Sequence, residues 1–409
     1  MNILGGYHYR ALSKKKMSWE YVMIFILFLL SPIVSFPFII ILLYTKGKES
    51  LFLISLFLGV VSYMLLPSWE LDLSRYYLYY EQILKYDLSS FLEFLKQKND
   101  YVFYSILFMF SRLGLKYQLV LLIISTFNFY ISLKIFDRVY SRYSTKEFSQ
   151  NKYFLLCSLF ILSLPVMSLI SVSRFSIGYT FFMLGVYRFI VNNKIRGVLN
   201  VFIASITHFA FIVYLPFFPL LLVKNKKRVL ALILIIFMFS FFVPIEKVIV
   251  LLSNYIPFLS TKMLIYLELF ADTNIKILST ILLGPVFISI MFLIFYYKII
   301  PQKLYLFCVM LLLVVLLTIP LNLIIYDRFV QVFKPVLALT VVVVYLGIKN
   351  KKNIYILESI IVLLLFFFSL YYVYTFGIIY RENLKIFLNI FKLLFVSILN
   401  TTYSLSDFL

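Results

Sequence analysis

The chain has 409 residues, 63% hydrophobic and 20% aromatic, with only 13% charged and a mean hydropathy of +1.01. Soluble domains are nearer half apolar and a quarter charged, so the composition excludes a water-soluble globular protein and predicts an all-α polytopic membrane protein. The net charge of +21 does not mark a nucleic-acid partner, because the bases stand in short clusters between apolar runs, the positive-inside pattern.

Those bases also suit an anionic membrane lipid surface or a phosphate-bearing substrate. Cys157 and Cys308 both fall within apolar runs, and no disulfide framework or zinc spacing is present. We expect no metal and no cofactor. The first apolar run is too long for a cleavable signal peptide, and no small-residue cleavage site follows it. No internal repeat is detectable.

In chain order, residues 1–20 carry Arg10, Lys14, Lys15 and Lys16 and predict a cytoplasmic start. Residues 21–44 read as a first span, interrupted by Pro32 and Pro37, and 51–67 as a second. The loop 68–100 has six acids against four bases, which predicts an outer location. The two expectations conflict. Either the N-terminus lies outside despite its lysines, or one early segment does not cross. Residues 101–113 are too short to span and suit the interface, whereas 117–136 span.

Residues 137–152, with Arg138, Arg142, Lys146 and Lys152, read as cytoplasmic. Residues 153–172 go out with a kink at Pro165, Arg174 follows at the outer face, and 176–191 return to Lys194 and Arg196. From Gly197 the helix climbs about 18 Å to His208. Two inside markers flanking the run 197–223 imply a broken helix or tight hairpin with His208 near its apex. Residues 229–243 go out, 244–276 form a second outer loop with amphipathic stretches, 277–297 return, and 304–320 go out again. Asn322, Asp327 and Arg328 sit in an outer turn before 330–348 return and 354–376 go out. Residues 377–409 read as an interfacial amphipathic helix or a last span. We count about 11 spans, with a range of roughly 9 to 13, in a single integral domain covering 1–409.

Ionisable groups are costly in hydrocarbon, so those found there are candidates for function. His208 is one of two histidines; the other, His8, lies in the polar N-terminal tail. Four features from separate parts of the chain converge on the outer face: the stretch from Trp69 to Tyr77, then Arg174, His208 and Arg328. Plainer readings exist for some. Arg75 between Asp72 and Glu81 suits a loop salt bridge, Arg328 beside Asp327 a local pair, and Arg188 a snorkelling base.

At these residues the chain resembles the Wzy-type polysaccharide polymerases, in particular the EpsG-like branch. The resemblance rests on Asp72-x-x-Arg75-Tyr76-Tyr77, Ser173-Arg174-Phe175, the intramembrane Thr207-His208-Phe209, and the late Arg328. The family pattern more often has Gln where Phe175 stands and Ser where Ala210 stands. The resemblance implies a GT-C-like membrane glycosyltransferase of the bacterial inner membrane. Such a polymerase joins oligosaccharide repeat units carried on undecaprenyl pyrophosphate at the outer, periplasmic face, for an O-antigen or capsule. A flippase and a chain-length regulator would be its partners.

Arginine binds phosphate oxygens bidentately and keeps its charge, so Arg174 and Arg328 are expected on the pyrophosphate, with Arg75 as a third. A general base for the acceptor hydroxyl is expected from His208 first and Asp72 second. Glu70, Trp69, Tyr76, Tyr77 and Tyr80 are expected to bind sugar hydroxyls and ring faces. The competing functions are a lipid-linked oligosaccharide flippase, a membrane O-acyltransferase and an O-antigen ligase. A transporter would be expected to distribute its charges along a central cavity, often with internal repeats, whereas here they gather at one face.

Overall fold

The first apolar run does not cross as one helix. It breaks at Ser31 into α1 (Trp19–Leu30) and α2 (Pro32–Lys46), with Ser31 capping α2 by accepting from the Val34 N–H at 3.4 Å and Pro32 in the first turn, where its missing N–H costs little. Glu20 and Lys46, at the two far ends, form an ion pair at 2.9 Å. A continuous helix between them would hold these residues roughly 39 Å apart, so the run folds back on itself as a hairpin. The fold-back matches the reading in which one early segment does not cross. Gly47, at φ +56°, turns the chain into a short 3₁₀ turn, Gly47–Ser50, that leads to α3 (Leu51–Met64).

The computed structural model describes residues 19–64, 72–98, 100–144, 149–171, 174–191, 194–208, 210–215, 231, 235, 276–318, 323–348 and 350–381. Among them the secondary structure is helical, with no strand. After α3 come α4 (Asp72–Lys85), α5 (Leu88–Lys96) and α6 (Tyr101–Arg112), three short amphipathic helices. Their apolar faces close over Tyr76, Tyr80, Phe91, Phe103 and Leu107, together with Tyr117 and Ile177 from the ends of two longer helices. Asp87 caps α5, accepting from the Ser90 N–H at 2.8 Å and the Ser89 hydroxyl at 3.0 Å, and hydrogen bonding from the Ser90 side chain and backbone, then from Ser89, holds its carboxyl below the usual range. Arg112 donates to the Ile83 and Leu84 carbonyls at 3.1 Å each, satisfying the end of α4. This small layer forms a cap over one end of the bundle, in the stretch that the acidic balance assigned to the outside.

The bundle proper contains α7 (Tyr117–Tyr143), α8 (Gln150–Ser163), α9 (Val166–Ile170), α10 (Arg174–Ile190), α11 (Lys194–Thr207), α12 (Lys276–Tyr296), α13 (Gln302–Thr318), α14 (Leu323–Gly347) and α15 (Lys351–Arg381). The expected kink at Pro165 is a full break between α8 and α9. At its centre stands α14, whose apolar residues continue around its whole circumference; 94% of its most apolar stretch is buried, against 28% for α15 on the periphery. Gly59 lets α3 lie directly on α7, since a Cβ there would fall 1.9 Å from Thr126 Oγ1 and 2.9 Å from the Leu122 carbonyl oxygen.

Among the described residues three helices are long and apolar enough to cross a membrane, namely α7, Tyr326–Gly347 of α14 and Lys352–Val373 of α15. Shorter apolar helices are Trp19–Leu30, Ile195–Thr207, Leu283–Tyr296 and Gln302–Thr318. Among the described residues the breaks at Ser31, Pro165 and His208 divide apolar runs into pieces shorter than a bilayer, and most of residues 216–275, to which further spans are assigned, lies outside the described residues. The loop 244–276 lies outside the described residues except for Lys276, which starts α12. In the C-terminal segment α15 runs past 377 to Arg381, and 382–409 lie outside the described residues.

The ends of the helices sort by charge. Opposite the cap, Gln150 donates to the Thr45 carbonyl at 3.0 Å, Tyr44 donates to Asn151 at 2.8 Å, and Lys152 lies over the Tyr345 ring. Tyr296 there donates to the Asn353 carbonyl at 3.2 Å. The regions around Lys46, Lys152, Lys298 and Lys352 thus share one end, as the positive-inside pattern requires. From that end α3 rises to the cap, where Ser62 donates to the Ile170 carbonyl.

Candidate functional site

Polar groups buried between α7 and α10 set the rotation of α10. Thr180 donates to Asn128 Oδ1 at 2.9 Å, and the Asn128 amide donates to Ser176 at 3.4 Å. Two glycines on α10 admit α11 and the turn after it: a Cβ at Gly185 would fall 2.6 Å from Val201 Cγ2, and one at Gly178 would fall 2.8 Å from the Phe211 ring. The first residues of α10 are thereby held under the cap, and Arg174 and Phe175 serve two different surroundings.

Arg174 turns toward the cap. Its Nε donates to the Tyr76 hydroxyl at 2.9 Å, and its Nη1 pairs with the carboxylate of Asp100, a residue only 3% exposed. These groups border a cavity of about 260 Å³ lined by Arg75, Tyr76, Tyr79, Gln97, Lys98, Asp100, Tyr104 and Arg174. Lys98 Nζ stands 4.3 Å from the centroid of the Tyr79 ring. The cavity wall therefore holds three cations, one carboxylate and three phenols, a combination suited to an anionic or polyhydroxylated ligand.

Phe175 turns the other way, into the bundle. Arg328 Cζ stacks 5.2 Å from its ring centroid, the His208 ring meets it edge-on at 5.7 Å, and Phe211 stacks on it at 5.4 Å. His208 directly follows α11, and residues 210–215 form a 3₁₀ turn beyond it, so the helix does break there. The Ala210 N–H donates to His208 Nδ1 at 3.2 Å. With Nδ1 accepting, the neutral ring carries its proton on Nε2.

Arg328 donates to the Ser168 hydroxyl at 3.4 Å. Among the described residues no carboxylate stands within ion-pair distance of its guanidinium, although Asp327 precedes it in sequence. Asp327 is held elsewhere: Tyr371 donates to its Oδ1 at 2.7 Å and the Gln331 amide to its Oδ2 at 2.5 Å. Ser168 in turn donates to Gln331 Oε1 at 2.8 Å. Below this network lies Lys334, 1% exposed, with its Nζ 3.8 Å from the Tyr371 ring centroid.

The predicted residues thus divide. Arg75, Tyr76 and Arg174 share the cavity, while Arg328 and His208 meet around Phe175. Tyr80 is fully buried, packed on Tyr117, with its hydroxyl given to the Leu115 carbonyl at 2.7 Å, and burial pushes its phenol up to about 12. Tyr77 also packs edge-on against Tyr117. Neither of these two lines the cavity. Asp72 begins α4, one turn before Tyr76, and Trp69 and Glu70 lie outside the described residues.

Sequence reasoning missed Asp100, Tyr79, Lys98 and Tyr104 at the cavity, and Gln331 and Lys334 on α14. A signal did exist for Lys334, a lone lysine inside the apolar run 330–348. Asp100 is one of six acids in its loop, and nothing local distinguishes it.

A family model, that of the EpsG family, matches residues 51–387, which is most of the chain. Comparison with curated proteins finds no match, and comparison with solved structures finds none either. The matched region includes α3 to α15, the whole cavity and the network on α14. The apolar bundle, the basic clusters at one end and this family match agree, and the chain belongs to the EpsG family of polysaccharide-polymerase-like multi-pass membrane proteins.

Proposed function

We propose that the protein is a polysaccharide polymerase of the bacterial inner membrane, a GT-C-like glycosyltransferase with about 11 transmembrane helices. It joins oligosaccharide repeat units carried on undecaprenyl pyrophosphate, and the cap faces the periplasm or outer surface. The observation that carries this reading is that Arg174 lines the cap cavity while Arg328 and His208 meet around the ring of the next residue, Phe175.

In the reaction the acceptor hydroxyl oxygen bonds to the anomeric carbon of the donor. The bond from that carbon to the phosphate oxygen breaks, and the lipid pyrophosphate leaves with the electron pair. The acceptor proton passes to a base. Arg328 is the ligand for the pyrophosphate, because it is cationic, half-buried and without a carboxylate partner among the described residues. Placed donors of this kind contribute about 3 kcal/mol of transition-state stabilisation each. His208, with Nδ1 engaged by Ala210, acts in this tautomer as a second donor to the departing oxygens from Nε2. It serves as the base only once that backbone contact is released, so Asp72 takes the acceptor proton in our reading. Arg174, positioned by Asp100 and Tyr76, and the phenols of the cavity hold the sugar or the second lipid diphosphate.

The test is a gel of surface polysaccharide from a deletion strain carrying Arg174→Ala or His208→Ala. We expect single repeat units in place of a ladder, with unchanged protein levels. A full ladder from both variants would exclude the site. Units retained inside the cell would indicate a flippase, and ladders made normally but not transferred to a core acceptor would indicate a ligase.

A further inference from the structure

Lys334 sits midway along α14, and among the described residues its buried Nζ has no hydrogen-bond partner. A cation in an apolar interior is costly unless something compensates it. The nearest compensation is the face of Tyr371, with the rings of Tyr372 and Phe368 at 5.4 and 5.5 Å. The hydroxyl of that tyrosine is spent on Asp327. Asp327 and Lys334 stand two helical turns apart, on one face of α14. A positive charge against a phenol ring favours electron density at the ring and strengthens the phenol as a donor. Lys334 therefore acts on Asp327 through Tyr371, and Asp327 is the carboxylate adjacent in sequence to Arg328.

We propose that Lys334 is a positioning residue: it balances the charge of Asp327, so that the neighbouring Arg328 guanidinium stays uncompensated and free to hold a lipid diphosphate. This rests on the assignment of Arg328 to the diphosphate. Two cations and one carboxylate leave one net positive charge, and it lies on Arg328. Without the ammonium, the carboxylate of Asp327 offsets the charge of Arg328 through space, and the two together present no net charge to an anion.

The experiment uses full-length protein in detergent micelles, with undecaprenyl pyrophosphate as the probe and affinity read by titration. Lys334→Met is expected to weaken binding at least tenfold. The double variant Lys334→Met with Asp327→Asn is expected to return to within about threefold of the starting affinity, because both charges are gone and Arg328 is again unbalanced. A role in packing alone predicts no such rescue. Wild-type affinity in Lys334→Met, or a double variant as weak as the single one, overturns the inference. Arg328→Ala separates the two claims: if it binds as tightly as wild type, the assignment of Arg328 itself fails. If Lys334→Met does not fold, Asp327→Asn alone carries the test. It is expected to raise the affinity two- to fivefold, and unchanged or weaker binding overturns the proposal.

Discussion

Arg328 stacks on Phe175, its Cζ 5.2 Å from the ring centroid, and the same ring receives His208 edge-on at 5.7 Å. A single aromatic side chain thus spaces a cation from an imidazole contributed by a different helix. A desolvated cation–π contact contributes about 1–2 kcal/mol, so Phe175→Leu, which keeps much of the volume but loses the ring, should slow polymer formation roughly fivefold to thirtyfold. Phe175→Tyr should stay within about threefold. Polymer per unit of protein on a gel checks both.

Asp100 and Tyr76 hold Arg174 from two directions. Asp100→Asn leaves a mostly buried guanidinium without its charge partner, a loss of about 3 kcal/mol. It should lower the melting temperature of the purified protein and reduce activity at least tenfold. Tyr76→Phe removes one hydrogen bond, worth about 1–2 kcal/mol, and should be milder on both measures. Arg174→Lys should not restore function, because one ammonium lacks the fork that reaches both partners.

Close helix contacts separate stability from activity. A Cβ at Gly59 meets the backbone oxygen of Leu122 at 2.9 Å as well as Thr126 Oγ1. Gly59→Ala should therefore destabilise the α3–α7 contact by about 1–3 kcal/mol, seen as reduced accumulation or thermal stability. A Cβ at Gly178 meets only the Phe211 ring below 3.1 Å, and that ring supports Phe175. Gly178→Ala should cost more in polymer formation than in melting temperature.

The sorting of helix ends gives a topology test. Leu113, 66% exposed in the cap, and Tyr297, 43% exposed at the basic end, stand at opposite ends of the bundle. Both native cysteines are buried, so the background is low. Leu113→Cys should react with a membrane-impermeant maleimide in intact cells, and Tyr297→Cys only after permeabilisation. The reverse pattern would place the cap in the cytoplasm and remove the periplasmic reading.

Much was legible in the residues alone. Long apolar runs and basic clusters establish a helical membrane protein and the end of each helix that faces the clusters, because charge and hydrocarbon do not mix. Arg174, His208 and Arg328 stand out for the same reason, and the break at His208 follows from two inside markers around one short run. Tertiary structure alone decided which groups meet. Asp100 lies 74 positions from Arg174, and Ser168 lies 163 from Gln331. The fold-back that joins Glu20 to Lys46 is equally silent in sequence. Tyr76 and Tyr80 stand one turn apart on α4, yet only Tyr76 reaches the cavity. The reason is physical: periodicity orients a helix only when one face is polar along its length, and a helix such as α14, almost wholly apolar from Pro335 onward, takes its rotation there from its packed neighbours.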